Sequence, residues 1–236
     1  MSEDKETKET GAKSGCPADG SSWCERPNAD KIPCPAMLAF YNNGLMNPDE
    51  DGVVTTDDLD KVLESFGVSA LVRNVLVRSA DGSDEIRDCK FNLFGMRNTS
   101  IDHAGSTGVR DPKVDPEKLE SALLKFSENG RMYVEHFAAA ANHGEKHDPG
   151  IKGTVTQTME FAALLELFGR ADESGKRYLT DEDVRGLWID GKFPKDWQPR
   201  SDGEVGAGDL AVGVANMVLK PRDRRYRILT CCQIQA

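Results

Sequence analysis

No apolar run in the chain approaches the ~20 residues that a membrane-crossing helix needs, so no membrane span is expected. Residues 1–13 alternate acidic and basic groups and lack the apolar stretch of a secretory signal, which makes the cytoplasm the expected compartment. Basic charge is scarce: 30 Lys and Arg stand against 40 Asp and Glu, a formal net charge of −10. The short cluster Arg222, Arg224, Arg225, Arg227 cannot neutralise a row of phosphates, so no nucleic-acid partner is expected. The six cysteines, Cys16, Cys24, Cys34, Cys89, Cys231 and Cys232, have no spacing that suggests a disulfide framework or a four-thiolate zinc site. Outside a secretory route the sequon Asn98-Thr99-Ser100 is only a polar turn. Strand-like runs are few: Val53-Val54 and residues 91–94.

What remains is the pattern of a helical domain. With 236 residues, 38% hydrophobic and 30% charged, the chain has material for one substantial core. Residues 1–30, rich in Lys, Glu, Ser, Gly and Pro around a lone Trp23, read as a tail that drapes over the domain. Helical spacing or capping predicts helices over 56–66, 69–78, 115–126, 133–142, 156–168, 180–188 and 208–219. The expected fold is therefore a single all-α domain over 31–222, followed by a tail, 223–236.

Two acidic loops invite a calcium reading. Asn47, Asp49, Asp51, Gly52, Val54 and Asp58 fall at EF-hand spacing, although Asp58 replaces the bidentate Glu at the last position. Residues 172–183 carry Gly175 and Leu179 in the wrong relative register, and more than a hundred residues separate the two loops. The competing interpretation is an Asx-rich turn that caps the helix starting near Thr56.

Pro33-Cys34-Pro35 heads a short apolar run that closes at Asn43-Gly44. Pro35 suits the first helical position and Gly44 the stop, which puts Cys34 at the N-cap. Free N–H groups and the positive helix end favour a thiolate there, and with it metal ligation, although a cysteine that simply packs fits the tripeptide too. Further on, Asp102, His103 and Ser106 lie in a Gly-rich loop where oxygen donors suit Mg²⁺ or Mn²⁺. Glu160 falls on a helix that is apolar on nearly every side, where desolvation raises a carboxyl pKa toward a proton-shuttling range. Glu166 is expected to face water.

Taken in order, Pro33-Cys34-Pro35 with Asn43-Gly44, Asp102-His103-Ala104-Gly105-Ser106, and Met159-Glu160 resemble the three marks of the heme-thiolate peroxidases, the chloroperoxidase and unspecific peroxygenase family. Leu167-Phe168-Gly169, residues 184–188, Lys192-Phe193-Pro194 and Trp197 resemble that family's closing stretch, so the resemblance spans 31–200. It implies a helical domain enclosing heme b, with Cys34 as proximal iron ligand. It further implies Glu160 as distal acid-base, His103 as the residue orienting it, and hydrogen peroxide and a small organic substrate as reactants. Asp102, the His103 carbonyl and Ser106 would hold Mg²⁺ or Mn²⁺ against a heme propionate. Three positions depart from the pattern: Asp102 in place of Glu, Ala104 in place of Asp, and Met159 in place of Gly.

Overall fold

The computed structural model describes residues 23–32, 34–81, 89–95, 115–144, 151–200, 205–209 and 211. Its first long element, α1 (Pro35–Asn42), begins as the sequence requires, with Cys34 as an extended N-cap, Pro35 at the first position, and Leu38 N bonded to the Cys34 carbonyl at 2.9 Å. Asn43 closes it, and Gly44 follows at φ 71°, a conformation glycine adopts without steric cost. All of α1 except Ala36 is buried, so the helix runs through the core rather than over it.

Then come β1 (Val53–Thr55), α2 (Thr56–Ser65), α3 (Ala70–Asp81) and β2 (Lys90–Asn92). The second half contains α4 (Pro116–Ala122), a 3₁₀ turn (Leu124–Phe126), β3 (Arg131–Tyr133), α5 (Val134–Gly144), α6 (Ile151–Phe168), β4 (Arg170–Ala171), β5 (Arg177–Thr180) and α7 (Asp181–Arg185). A π-helix, Gly186–Asp190, continues directly from α7.

The protein is mostly helical, but the all-α expectation needs correction. β1 pairs antiparallel with β2, and β3, β5 and β4 form a second small sheet in that order. Each main pairing buries one central couple, Val54 opposite Phe91 and Met132 opposite Leu179, all at most 3% exposed. β1 and β2 fall on the two strand-like runs expected, whereas β3, β4 and β5 contribute at most one inward side chain each, too little for an alternating pattern to register in sequence.

Aromatic side chains fasten the helices together. Phe66 meets Phe40 of α1 edge to face at 4.9 Å, and Phe168 of α6 at 5.9 Å; Phe193 and Trp197 complete this cluster. A second cluster joins Phe137 of α5 and Phe161 of α6 at 4.9 Å, with Trp188 of the π-helix against both. Fully burying one such side chain is worth roughly 1.5–3 kcal/mol, so these clusters are a main source of cohesion.

The last residues of the expected N-terminal tail lie against the domain. Trp23 Nε1 donates to the Asp190 carbonyl, Cys24 N to the Asn42 carbonyl, and Arg26 Nη1 to the carbonyls of Tyr41 and Met46. Arg26 also lies 4.3 Å over the Tyr41 ring, whose hydroxyl donates to the Pro27 carbonyl. Residues 23–31 thus cover the C-terminal end of α1. Cys24 is disulfide-bonded, a departure from the expectation of no disulfide framework. No helix among the described residues is long and apolar enough to cross a membrane.

Candidate functional site

Cys34 is 6% exposed, carries a thiol rather than a disulfide, and caps α1. Because Pro35 has no N–H and Leu38 N is bonded to Cys34 O, the N–H groups of Ala36 and Met37 are those the helical ladder leaves over. As a thiol the side chain makes no capping hydrogen bond to them. A thiolate would gain both from those donors and from the positive end of the helix.

Glu160 lies in the middle of α6 rather than in its first turns, because the helix starts at Ile151 and not at 156. It is partly buried, with its Oε2 closed to solvent, and Phe161, Ala162, Leu164 and Leu165 around it are buried. The two helices meet where Phe40 faces Phe168 at 6.2 Å. At ~1.5 Å per residue, Cys34 sits ~9 Å from that contact along α1 and Glu160 ~12 Å along α6, each toward its own N-terminus. Asp102, His103, Ala104 and Ser106 lie outside the described residues. So do Pro33, Cys16, Cys231, Cys232, Asn98 and the 222–227 cluster, and most of the helix expected over 208–219.

The acidic loops prove to be one turn used twice. Asp49 Oδ1 accepts from Asp51 N and Val53 N, and Asp172 Oδ1 from Ser174 N and Lys176 N, with Gly52 and Gly175 three residues on at φ 85° and 80°. Each turn leads into a strand and then a capping box, Thr55 with Asp58 and Thr180 with Asp183. Turn and cap are two residues further apart in the second loop, the physical origin of its odd register. At β3 the same capping place is taken by His136, whose Nδ1 accepts from Tyr133 N at 3.2 Å.

Each loop therefore does pair with a neighbouring strand, and the separation between them is no obstacle to that. Their carboxylates are nonetheless engaged: Asp58 Oδ2 by Thr55 N and Oγ1, Asp183 Oδ2 by Thr180 N, and Asp183 Oδ1 by Arg170 Nη2 at 2.8 Å. The helix-capping alternative accounts for these groups, and a cation would have to displace backbone donors and an arginine. Among the described residues no three His, Cys, Asp or Glu side chains converge on a metal position.

Two features escaped the sequence reading. Glu166 does not face water: its side chain is 15% exposed and bridges Arg177 at 3.1 Å and Arg200 at 3.0 Å. These arginines are distant in sequence and leave no local signal. Trp188 is fully buried on the π-helix, whose end is held against α1 by Asn42 Nδ2 on the Asp190 carbonyl at 2.8 Å. A side chain on Gly191 would run into Leu38 Cγ at 2.5 Å, so glycine is required at that close approach. The polar hollow lined by Glu128, Asn129, Arg131 and Tyr133 at the β3 turn includes none of the expected site residues. Compared with protein-family models and with curated proteins, the chain matches none.

Proposed function

We propose that the protein is a heme-thiolate enzyme that uses hydrogen peroxide to oxidise or oxygenate a small organic substrate. The observation that carries this reading is Cys34, a buried thiol at the N-cap of α1 with backbone donors beside it. Its donor chemistry fits heme: a soft thiolate is a known axial ligand of heme iron, and one protein ligand suffices where a macrocycle supplies the others. A closed zinc or calcium site instead needs several converging ligands, which the described residues do not offer.

A heme bound at Cys34 supplies the redox centre at which peroxide is activated. Cys34 contributes negative charge to that centre, and α1 stabilises the charge through the N–H groups of its first turn. Glu160 takes a proton from one peroxide oxygen and returns it to the departing one, a role suited to a carboxyl with one oxygen closed to water. His103 orients Glu160. Asp102, the His103 carbonyl and Ser106 would hold Mg²⁺ or Mn²⁺, which would offset the negative charge of a heme carboxylate. Metal analysis of freshly purified protein is expected to show one of these ions at near-stoichiometric level; neither being present removes the cation from the account.

Glu160→Gln tests the function itself, because it keeps size and hydrogen bonding but removes the proton shuttle. Heme content and the Soret band should stay, while peroxide-dependent oxidation falls by ~10² to 10⁴-fold, the usual worth of a positioned acid-base. Full activity in the variant would make Glu160 a structural residue. Inertness of the parent toward peroxide would favour a heme enzyme of rearrangement or dehydration.

A further inference from the structure

Three helices begin where a short strand ends, and in each the side chain three residues on accepts from the strand's last N–H. At α2 and α7 the acceptor is a carboxylate, Asp58 on Thr55 N at 3.1 Å and Asp183 on Thr180 N at 3.0 Å. At α5 it is an imidazole, His136 Nδ1 on Tyr133 N at 3.2 Å. The sheet does not use that N–H. Asp181 N donates to the Gly130 carbonyl, so Arg131 and Thr180 form a non-hydrogen-bonded pair of the ladder, and so, two residues on, do Tyr133 and Tyr178. The Tyr133 N–H and the Arg131 carbonyl therefore face away from β5, on the side where His136 lies.

His136 is 3% exposed; its Nδ1 also lies 3.0 Å from the Arg131 carbonyl, and its Nε2 3.6 Å from Glu128 Oε2. One ring nitrogen cannot accept from an N–H and donate to a carbonyl at once. With the proton on Nε2, Nδ1 accepts from Tyr133 and the Nε2–H is directed to the Glu128 carboxylate, while the Arg131 carbonyl already accepts from Glu128 N at 3.1 Å. With the proton on Nδ1, the Tyr133 N–H loses its acceptor and the Nε2 lone pair faces a carboxylate. The neutral ring thus takes the first form.

We propose that His136 makes the start of α5 a proton-sensitive clasp. The neutral ring holds the Tyr133 N–H; the protonated ring releases it, turning Nδ1–H to the Arg131 carbonyl and Nε2–H to Glu128. The hollow of about 330 Å³ lined by Glu128, Asn129, Arg131 and Tyr133 admits the water that takes the freed N–H. An imidazole is protonated about two to three pH units above a carboxylate, so mild acid opens this clasp while those of α2 and α7 stay closed. Of the elements packed against α5, the turn brings Glu128 and β3 brings Tyr133 against the ring. Around them Lys176 pairs with Glu135 and covers the Tyr133 ring, the Tyr133 hydroxyl donates to Asp172, and Arg131 lies over Tyr178. Lys125 of the 3₁₀ turn lies over Phe126, Glu120 of α4 pairs with Arg185, and α6 carries Glu160 and the paired Glu166. Neither state of the clasp depends on a bound cofactor.

Nuclear magnetic resonance of the ¹⁵N-labelled full-length protein tests this. Among its four histidines, the His136 signals are those that vanish in His136→Asp, the variant that gives α5 the capping residue of α2 and α7. Should that variant fail to fold, His103→Gln, His143→Gln and His147→Gln assign the ring by elimination. Long-range ¹H–¹⁵N spectra at pH 8 should place the proton of the neutral ring on Nε2. As the ring is protonated, the exchange protection of the Tyr133 amide, taken relative to the intrinsic rate at each pH, should fall about fivefold to tenfold, the usual worth of a lost cap. In His136→Asp it should hold over the same range. A neutral ring protonated on Nδ1, a ring that takes no second proton before the protein unfolds, or a Tyr133 amide equally protected on both sides of the titration overturns the proposal.

Discussion

Asp58 shows how a single carboxylate that looks like a cation ligand can be fully employed without one. Hydrogen bonds from the Thr55 hydroxyl, and then from its backbone N–H, hold the Asp58 carboxyl below the usual carboxylate range. The folded-state pKa is lower than the unfolded value of ~3.9, so the unfolded chain binds the proton more tightly. Its contribution to stability is complete above that value and is lost as pH falls through the folded pKa. Thr55→Ala should cost about 1 kcal/mol at pH 7 in urea unfolding. Asp58→Asn should show a deficit at pH 7 that closes as the pH is taken below ~4, since protonation already removes the charge in the parent. A deficit that stays constant with pH would mean the charge plays no part in the cap.

At the scale of elements, helices announced themselves wherever a cap or a proline marked the start. Pro35 opens α1 and Pro116 opens α4, and Thr55 and Thr180 cap α2 and α7 where expected. Three of the five strands were illegible: β1 and β2 coincide with apolar runs at Val53-Val54 and 91–94, whereas β3, β4 and β5 carry no more than one buried apolar residue each. The π-helix was equally invisible: residues 180–188 have helical spacing, and only the docking of Gly191 on Leu38 reveals the change of turn. Glu166 misled because its partners come from β5 and from the segment after the π-helix. Both guanidinium groups are at most 14% exposed on their side chains, and Glu166→Gln removes the carboxylate they share, although Arg200 keeps Asp209 at 3.7 Å. Loss of a fully buried partner costs 3–5 kcal/mol, and residual solvation here reduces that to about 2 kcal/mol. Chemical denaturation in 1 M salt should still show most of the difference; a difference that vanishes in salt would place the network at the surface.

For the molecule as a whole, the N-terminal segment, α1, the π-helix and α6 share one core, and the elements bearing Cys34, Trp188 and Glu160 border it. The order of motifs along the chain made Cys34 and Glu160 candidates, and the N-cap position of Cys34 was readable from Pro35 alone. The mid-helix position of Glu160 was not, because Pro149-Gly150 and Gly153 punctuate the sequence ahead of Thr156 as a loop would. The central claim is that Cys34 holds heme iron as a thiolate, and the carbonmonoxy spectrum of the reduced protein, beside that of Cys34→Ser, tests it most directly. The account predicts a red protein whose Soret band in the carbonmonoxy form is shifted far to the red, and a variant that loses either the heme or that shift. A colourless protein, or a variant with an unchanged spectrum, would contradict it.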